Sequence, residues 1–321
     1  MKRIVRLATL ILTLALLMGN ATFAAEAKDT YSIGIIQLAE NGAFTEMREG
    51  FLGRIAALGY TEDTLSVDYK NAQGDVGTLN SICQDMVGKN HDLIVTIATP
   101  ATQAAANMQG DTPIIFISVS NPIAAGVMAD MNAPTNVTGT SNLVPVDEIF
   151  ALAGNLTPDI KTYGIIYNTG EVNAVTTVEN ARVYLDGQGI AYREATVMNS
   201  SEVQQATESL VGKVDAIFVP VDSMVQAAMP QLAQIALEAK VPVYGSSPVM
   251  VTSGALATVS VSDTQLGATA ADMANRYFTG TPISDIPAVA IGEFAAVINR
   301  TTAESLGVDL ENLEGAAMMI E

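Results

Sequence analysis

The sequence has one cysteine, one histidine and no tryptophan among 321 residues. One cysteine excludes an intramolecular disulfide and any cysteine-cluster metal site, and one histidine excludes sites that need two. Aromatic residues make up 5% of the chain, so stacking surfaces for a flat ligand are few. Basic residues are scarce: 15 Lys and Arg stand against 34 Asp and Glu, a formal net charge of −19. That balance argues against nucleic acid or an anionic membrane surface as partner. A GxSxG elbow, a Walker loop and a GxGxxG after a strand are all missing. The expectation is therefore no enzyme, no metal and no cofactor.

About half of the residues are apolar and only 15% are charged, a composition that fills cores rather than one that stays disordered. Single cores stop growing at roughly 250–300 residues, so two domains are expected.

Residues 1–27 read as an address rather than as fold. Lys2, Arg3 and Arg6 precede an apolar run, Leu7 to Met18, and the small residues Ala21, Ala24, Ala25 and Ala27 follow. This is the three-part pattern of a secretory signal peptide, with cleavage after Ala24 or after Ala27. With no cysteine near that point, lipid anchoring is excluded, and a periplasmic or secreted protein is expected.

Beyond it, short apolar runs alternate with stretches of helical spacing. The runs are Ser32–Leu38, Leu65–Tyr69, Leu93–Ile97, Ile114–Ser118, Tyr163–Tyr167, Ala216–Val219 and Val241–Tyr244. Their continuous apolarity suits strands covered on both faces, as in parallel sheets. Helices are predicted over Glu46–Leu58, Leu79–Val87, Val175–Leu185, Val203–Val211 and Asp263–Phe278, with Ser201 and Gln204 as a capping box for the fourth. Pro230 kinks or starts another. The βαβα order predicts an α/β fold of doubly wound parallel sheets with right-handed crossovers. Gly139–Pro145 is a polar pause, read as a crossing between domains. Two further crossings are placed near Thr258–Asp263 and Ile291–Ala295. The expected lobes are 28–141 plus 262–291, and 142–261 plus 292–321.

In open α/β sheets ligands bind beyond the carboxyl ends of the strands. His91 precedes a strand, at the wrong end, and is expected to be a surface residue. Cys83 falls on an apolar helix face and is expected to be a buried hydrophobe. The strand-end loops, in contrast, are rich in small polar residues: Gln37–Phe44, Asn71–Asp75, Ala98–Thr102, Ser118–Pro122, Tyr167–Asn173, Pro220–Ser223 and Gly245–Ser247. Free helix-start amides with the hydroxyl of Thr99 or Thr102 suit a carboxylate. Glu171 and Asp222 suit an ammonium, since a buried charge needs a partner. A small zwitterion fits both. Phe44, Tyr167 and Tyr244 are the aromatics expected near the cleft, and Ser246 is a further candidate contact. Asp222→Ala is expected to weaken binding more than stability.

These loops also resemble a known family. Glu40, Ala43, the strings Arg48-Glu49-Gly50-Phe51, Asn71-Ala72-Gln73-Gly74-Asp75 and Ile97-Ala98-Thr99-Pro100-Ala101, and Asn136-Val137-Thr138-Gly139 follow its order and spacing. So do Leu143-Val144-Pro145, Tyr167-Asn168, Glu171, Asn173, Gly212–Ile217, Asp222, Gly254–Ala257 and Val297-Ile298-Asn299. Over essentially the whole exported portion the chain resembles the bacterial ABC-transporter substrate-binding proteins of the tryptophan/tyrosine/phenylalanine type, with the type I periplasmic-binding-protein fold. The resemblance implies two lobes joined by three crossover segments, an amino-acid-like ligand captured by hinge closure, and delivery to an ABC permease in the inner membrane. It implies Thr99 and Ser120 on the carboxylate, and Glu171, Asn173 and Asp222 on the ammonium. It places Glu40, Phe44 and Gln73 near the side-chain pocket. A monomer is implied as well.

The chain departs from the family pattern at Thr169, Ser223, Asn41-Gly42 and Gly245–Ser247, and its crossing at Val259–Thr264 lacks aromatics. An aromatic amino acid is the favoured ligand. The alternatives are a non-aromatic amino acid, a nucleoside or another small solute, or a role as the ligand-sensing partner of a membrane receptor.

Overall fold

A computed structural model describes residues 28–311 and 317–321. The expected signal segment, 1–27, lies outside the described residues.

The first part of the chain runs β1 (Tyr31–Gln37), α1 (Gly42–Ala57), β2 (Leu65–Asn71), α2 (Val76–Gly88), β3 (Leu93–Ile97), α3 (Ala98–Asn107), β4 (Ile114–Ile117) and β5 (Val137–Asn142). The second runs α4 (Val146–Leu156), β6 (Thr162–Asn168), α5 (Val172–Gln188), β7 (Ala191–Val197), α6 (Val203–Leu210), β8 (Ala216–Phe218), α7 (Ser223–Ala227), α8 (Met229–Glu238), β9 (Val243–Tyr244), α9 (Pro248–Thr252) and β10 (Ala257–Ser260). Then follow α10 (Asp263–Phe278), β11 (Val289–Ile291), β12 (Ala295–Asn299), α11 (Arg300–Leu306) and β13 (Met318–Ile320).

Two sheets form. One has the order β11-β5-β4-β3-β1-β2 and the other β13-β12-β10-β9-β8-β6-β7. The pairs are parallel except β10 with β12. The chain passes from the first sheet to the second after β5, returns after β10 into α10, and leaves again between β11 and β12. The α/β class, with doubly wound and largely parallel sheets, is the one the alternation of runs predicted. Central strands such as β3, Leu-Ile-Val-Thr-Ile, are buried at every position because helices cover both faces.

Local differences have physical causes. Helix α1 starts at Gly42, four residues before the predicted Glu46, because the Asn41 side chain accepts the Phe44 amide at 2.9 Å and caps it there. The capping box at Ser201 and Gln204 does not form. Asn199 accepts the Ser201 amide and opens a short 3₁₀ turn, while Gln204 bonds Glu208. Pro230 stands in the first turn of α8, where its missing N–H costs nothing. The polar pause Gly139–Pro145 begins within strand β5, buried throughout, and the chain crosses to the second sheet just after Asn142. Its hydroxyls are satisfied: Thr138 donates to the Ile286 carbonyl, Thr140 to Leu266 and Ser141 to Ser120. Strand β7, with most of its side chains at least partly exposed at a sheet edge, had too little apolar signal to be read.

His91 is not a surface residue. Its side chain is 10% exposed, it lies beside Gly34, and its Nε2 is buried without a hydrogen-bond partner. It does precede β3, at the end of the sheet away from the cleft. Cys83 is fully buried, and burial pushes its thiol up to about 12, so it is inert.

Helices α1 and α10 cross in close contact. A Cβ on Gly267 would stand 2.0 Å from the Met47 carbonyl oxygen, and one on Gly50 would stand 2.4 Å from that of Thr264. Only glycine permits this approach, which ties the second passage of the chain, from β10 into α10, to the first lobe.

Candidate functional site

The ends of β2, β3 and β4 share a feature that composition hides. Gln73, Ala98 and Ser118 are non-glycine residues with φ of 54°, 68° and 65°. Such left-handed conformations cost of order 1–3 kcal/mol each and persist where the surroundings demand them. At Ala98 the chain turns directly from β3 into α3. Thr102 holds that turn, its hydroxyl bonding the Ala98 carbonyl at 2.9 Å and the Thr96 hydroxyl at 2.8 Å. No side chain caps α3, so the amides of its first turn, beside the buried Thr99, are left for another acceptor. Ser120 is buried at the next strand end, its hydroxyl 3.3 Å from Asn142 Oδ1.

The first-lobe rim is held by Arg48, which the sequence reading quoted only as part of a string. Its Nη1 donates to Gln37 Oε1 at 3.0 Å and to Tyr69 Oη at 2.8 Å, and its guanidinium lies 4.5 Å from the Tyr69 ring centroid. Glu40 accepts from Thr45 at 2.7 Å, Asn71 at 2.7 Å and Tyr69 at 3.1 Å. Burial pushes its carboxyl up, but those hydrogen bonds and the Arg48 charge outweigh it and hold the group below its usual range. Gln73 is exposed and its amide donates to Asn71 Oδ1. Phe44 is 2% exposed and packs in the first lobe's core. Asn41 was also missed: its Nδ2 is buried with no acceptor at the start of α1.

The second lobe presents two acids. Glu171 and Asp222 are 4% and 0% exposed. Asp222 Oδ1 accepts the Met224 and Val225 amides at 3.0 Å, capping α7, and Oδ2 accepts the Asn168 amide at 2.5 Å. Glu171 accepts the Ser223 amide at both oxygens. Burial, then the like charge of Asp222, push the Glu171 carboxyl up to about 8. Burial also raises Asp222, against the pull of its backbone donors. Beside them Asn173 donates to the Val221 carbonyl at 2.7 Å, while its Oδ1 is buried with no donor. The region holds two buried carboxylates and one vacant acceptor, and a donor of positive charge would satisfy all three.

Two of the candidate aromatics have hydroxyl partners within the second lobe. The Tyr167 hydroxyl is taken up by the Arg182–Glu194 ion pair, donating to Glu194 at 2.8 Å. Tyr244 is fully buried in the second core, bonded to the Thr157 hydroxyl at 2.7 Å. Both rings pack in the second lobe's core, the Tyr167 hydroxyl at its part-exposed edge beside β7 and the Tyr244 hydroxyl within it. Ser246 is buried, and its hydroxyl donates to the Val219 carbonyl at 2.8 Å.

The lobes touch. Val249 of α9 joins the first lobe's core, where a Cβ on Gly42 would lie 2.6 Å from its Cγ1. Met224 of α7 joins the cluster around Leu38 and Ala72, 3.7 Å from the position of a Cβ on Gly74.

The sequence pattern of the family described as "ABC transporter substrate binding protein" matches residues 32–317. A tyrosine-binding protein of Clostridioides difficile (strain R20291) is 36% identical over 297 residues, 92% of this chain and 86% of that protein. The crystal structure of an ABC domain in complex with L-Trp from Streptococcus pneumonia superimposes with a TM-score of 0.87 at 30% identity, over 91% of this chain and 100% of that one. The ligand-free, open structure of a Clostridium difficile substrate-binding protein with adhesive properties gives 0.69 at 34% identity, over 91% and 99%.

Proposed function

The chain belongs to the family of ABC transporter substrate-binding proteins, and from that premise we propose that it is the receptor of an importer for an aromatic amino acid, held as a zwitterion between its lobes. Membership makes it a binding protein of the type I periplasmic fold rather than an enzyme. Such proteins work outside the cytoplasmic membrane and deliver a small molecule to an ABC permease.

The observation that carries the finer reading is the buried acid pair, Glu171 and Asp222, next to the unpaired Oδ1 of Asn173. An α-ammonium supplies both a compensating charge and three donors there. The opposite lobe offers the uncapped start of α3 at Thr99 and the vacant Asn41 Nδ2, which suit the carboxylate. Glu40 and Gln73 belong to the rim, on the side where the ligand's own side chain would project, and Phe44 lies beneath it. The names of the two relatives, one binding tyrosine and one holding L-Trp, support an aromatic side chain. Closure follows the hinge scheme: ligand bridging both lobes stabilises the arrangement in which they touch. Export by cleavage after Ala24 or Ala27, and action as a monomer, complete the proposal.

Calorimetry on protein stripped by unfolding and refolding tests it, with L-Tyr, L-Trp, L-Phe and 3-phenylpropionate, which lacks the ammonium. The amino acids should bind, and loss of the ammonium should weaken L-Phe binding roughly ten- to a hundredfold, the worth of one charge-assisted hydrogen bond to a buried acid. Equal affinity for L-Phe and 3-phenylpropionate would remove the acid pair from the site. Binding of only a small apolar amino acid would keep the pair and discard the aromatic assignment.

A further inference from the structure

A cavity of about 260 Å³ lies at the seam where the chain crosses from β10 into α10. None of its lining residues belongs to the cleft described above. Its walls come from both lobes: Glu46 of α1 and Asp263 of α10 on one side, Val297 of β12 with Met318 and Ile320 of β13 on the other, and Val261 of the crossing between them. Asp263 is 3% exposed, and its Oδ2 is buried without a hydrogen-bond partner. A buried carboxylate in that condition costs several kcal/mol unless something pairs with it. The N-terminus of α10 offsets part of that cost, since Asp263 is the first residue of a sixteen-residue helix. Glu46 adds a like charge and makes the position worse; burial and Glu46 together hold the Asp263 carboxyl well above its usual range.

We propose that this seam is a second ligand site, which takes a small primary alkylamine with its ammonium on Asp263 and its chain among Val261, Val297, Met318 and Ile320. The chemistry narrows the occupant. A bare divalent cation needs six or more oxygen ligands or a tight cluster of donors. Among the described residues no group of three or more metal-binding side chains comes together, and these walls are mostly apolar. An anion is excluded by two carboxylates. A neutral hydrocarbon would leave Oδ2 unpaired. An alkylammonium supplies a charge and donors at one end and apolar surface at the other. Because the walls belong to both lobes, the occupant also bridges the seam next to the hinge.

The test uses n-pentylamine, with n-pentanol as the neutral control, titrated into the purified protein and read by calorimetry and saturation-transfer NMR. Pentylamine should bind saturably and pentanol about tenfold more weakly or not at all. Asp263→Asn should weaken pentylamine about tenfold. Met318→Lys alters an exposed residue on the rim (60% exposed) and should abolish binding by placing a tethered ammonium in the cavity. Glu171→Gln, in the other cleft, should leave pentylamine binding as it was. No saturable binding would overturn the proposal. So would binding lost in Glu171→Gln and kept in Asp263→Asn, which would put the amine in the cleft. If Asp263→Asn does not fold, Met318→Lys decides: unchanged pentylamine binding in that variant overturns the site.

Discussion

The amide of Ser223 donates to both carboxylate oxygens of Glu171, at 3.1 and 3.0 Å, and Ser223 follows Asp222 in the chain. One peptide therefore holds two buried acids side by side, each raised by burial and Glu171 further by its neighbour.

A pH dependence follows. Burial and the Asp222 charge push the Glu171 carboxyl up to about 8, and burial raises Asp222 too, so from the ordinary carboxylate range up to there the folded ligand-free pair holds a proton that the unfolded chain has lost. Stability of the ligand-free form should fall as pH rises from about 4.5 to about 8, and level off above. An ammonium ligand favours the ionised acid, so binding near neutrality should release up to one proton. Affinity should rise with pH until about 8 and then flatten. Calorimetry in buffers of different ionisation enthalpy measures the proton directly; zero release at pH 7 would mean that Glu171 is already ionised without ligand.

The two acids should respond differently to mutation. Glu171→Gln keeps an acceptor for the Ser223 amide and should cost little stability while weakening amino-acid binding about tenfold or more. Asp222→Ala strands the amides of Asn168, Met224 and Val225. At about 1–3 kcal/mol for each buried unsatisfied group, its stability loss should be several kcal/mol, larger than the sequence alone implied. Thermal melts alongside calorimetry separate the two effects, and a Glu171→Gln variant that unfolds with Asp222→Ala would contradict the division.

Gly42→Ala should impair closure without harming the fold. Its backbone φ is not in the left-handed range, and alanine is the better helix former at the start of α1. The added methyl meets Val249 of the other lobe at 2.6 Å only when the lobes are together. Overpacking of this kind costs about 1–3 kcal/mol, which predicts ligand affinity lower by roughly five- to a hundredfold with an unchanged or higher Tm for the free protein. Small-angle scattering with ligand should show a more open particle than wild type; equal compaction and equal affinity would refute the contact.

Gly267→Ala should act on stability instead. Its Cβ would sit 2.0 Å from the Met47 carbonyl, a backbone atom that cannot turn aside, so α10 must move off α1. A loss of about 3 kcal/mol or more is expected, read as a lower denaturant midpoint. A midpoint within error of wild type would show that the helices slide freely.

The alternation of apolar runs and helical spacing was enough to read the α/β class, the number of lobes and the end of the sheets where small polar loops collect. Those features follow from local patterning: a strand buried on both faces must be apolar throughout, and a helix must repeat its apolar residues every three to four. Strand β5 escaped because its threonines and serine are satisfied by carbonyls distant in sequence, from Ser120, Leu266 and Ile286. His91 looked exposed because nothing local shows that its ring packs beside Gly34 of β1.

Among the candidate site residues, the acids Glu171 and Asp222 could be singled out by their place at strand ends, since buried charge at that edge needs a reason. What the sequence could not contain was which groups remain unpaired. Nothing local shows that the hydroxyls of Tyr167 and Tyr244 bond Glu194 and Thr157. Asn41, Asn173 and Asp263 resemble ordinary turn and cap residues until one atom of each is found buried with no partner. Hydrogen bonding is settled between residues far apart in the chain, so the composition of each loop was determined by sequence, and the vacancies within it only by the packing of one element on another.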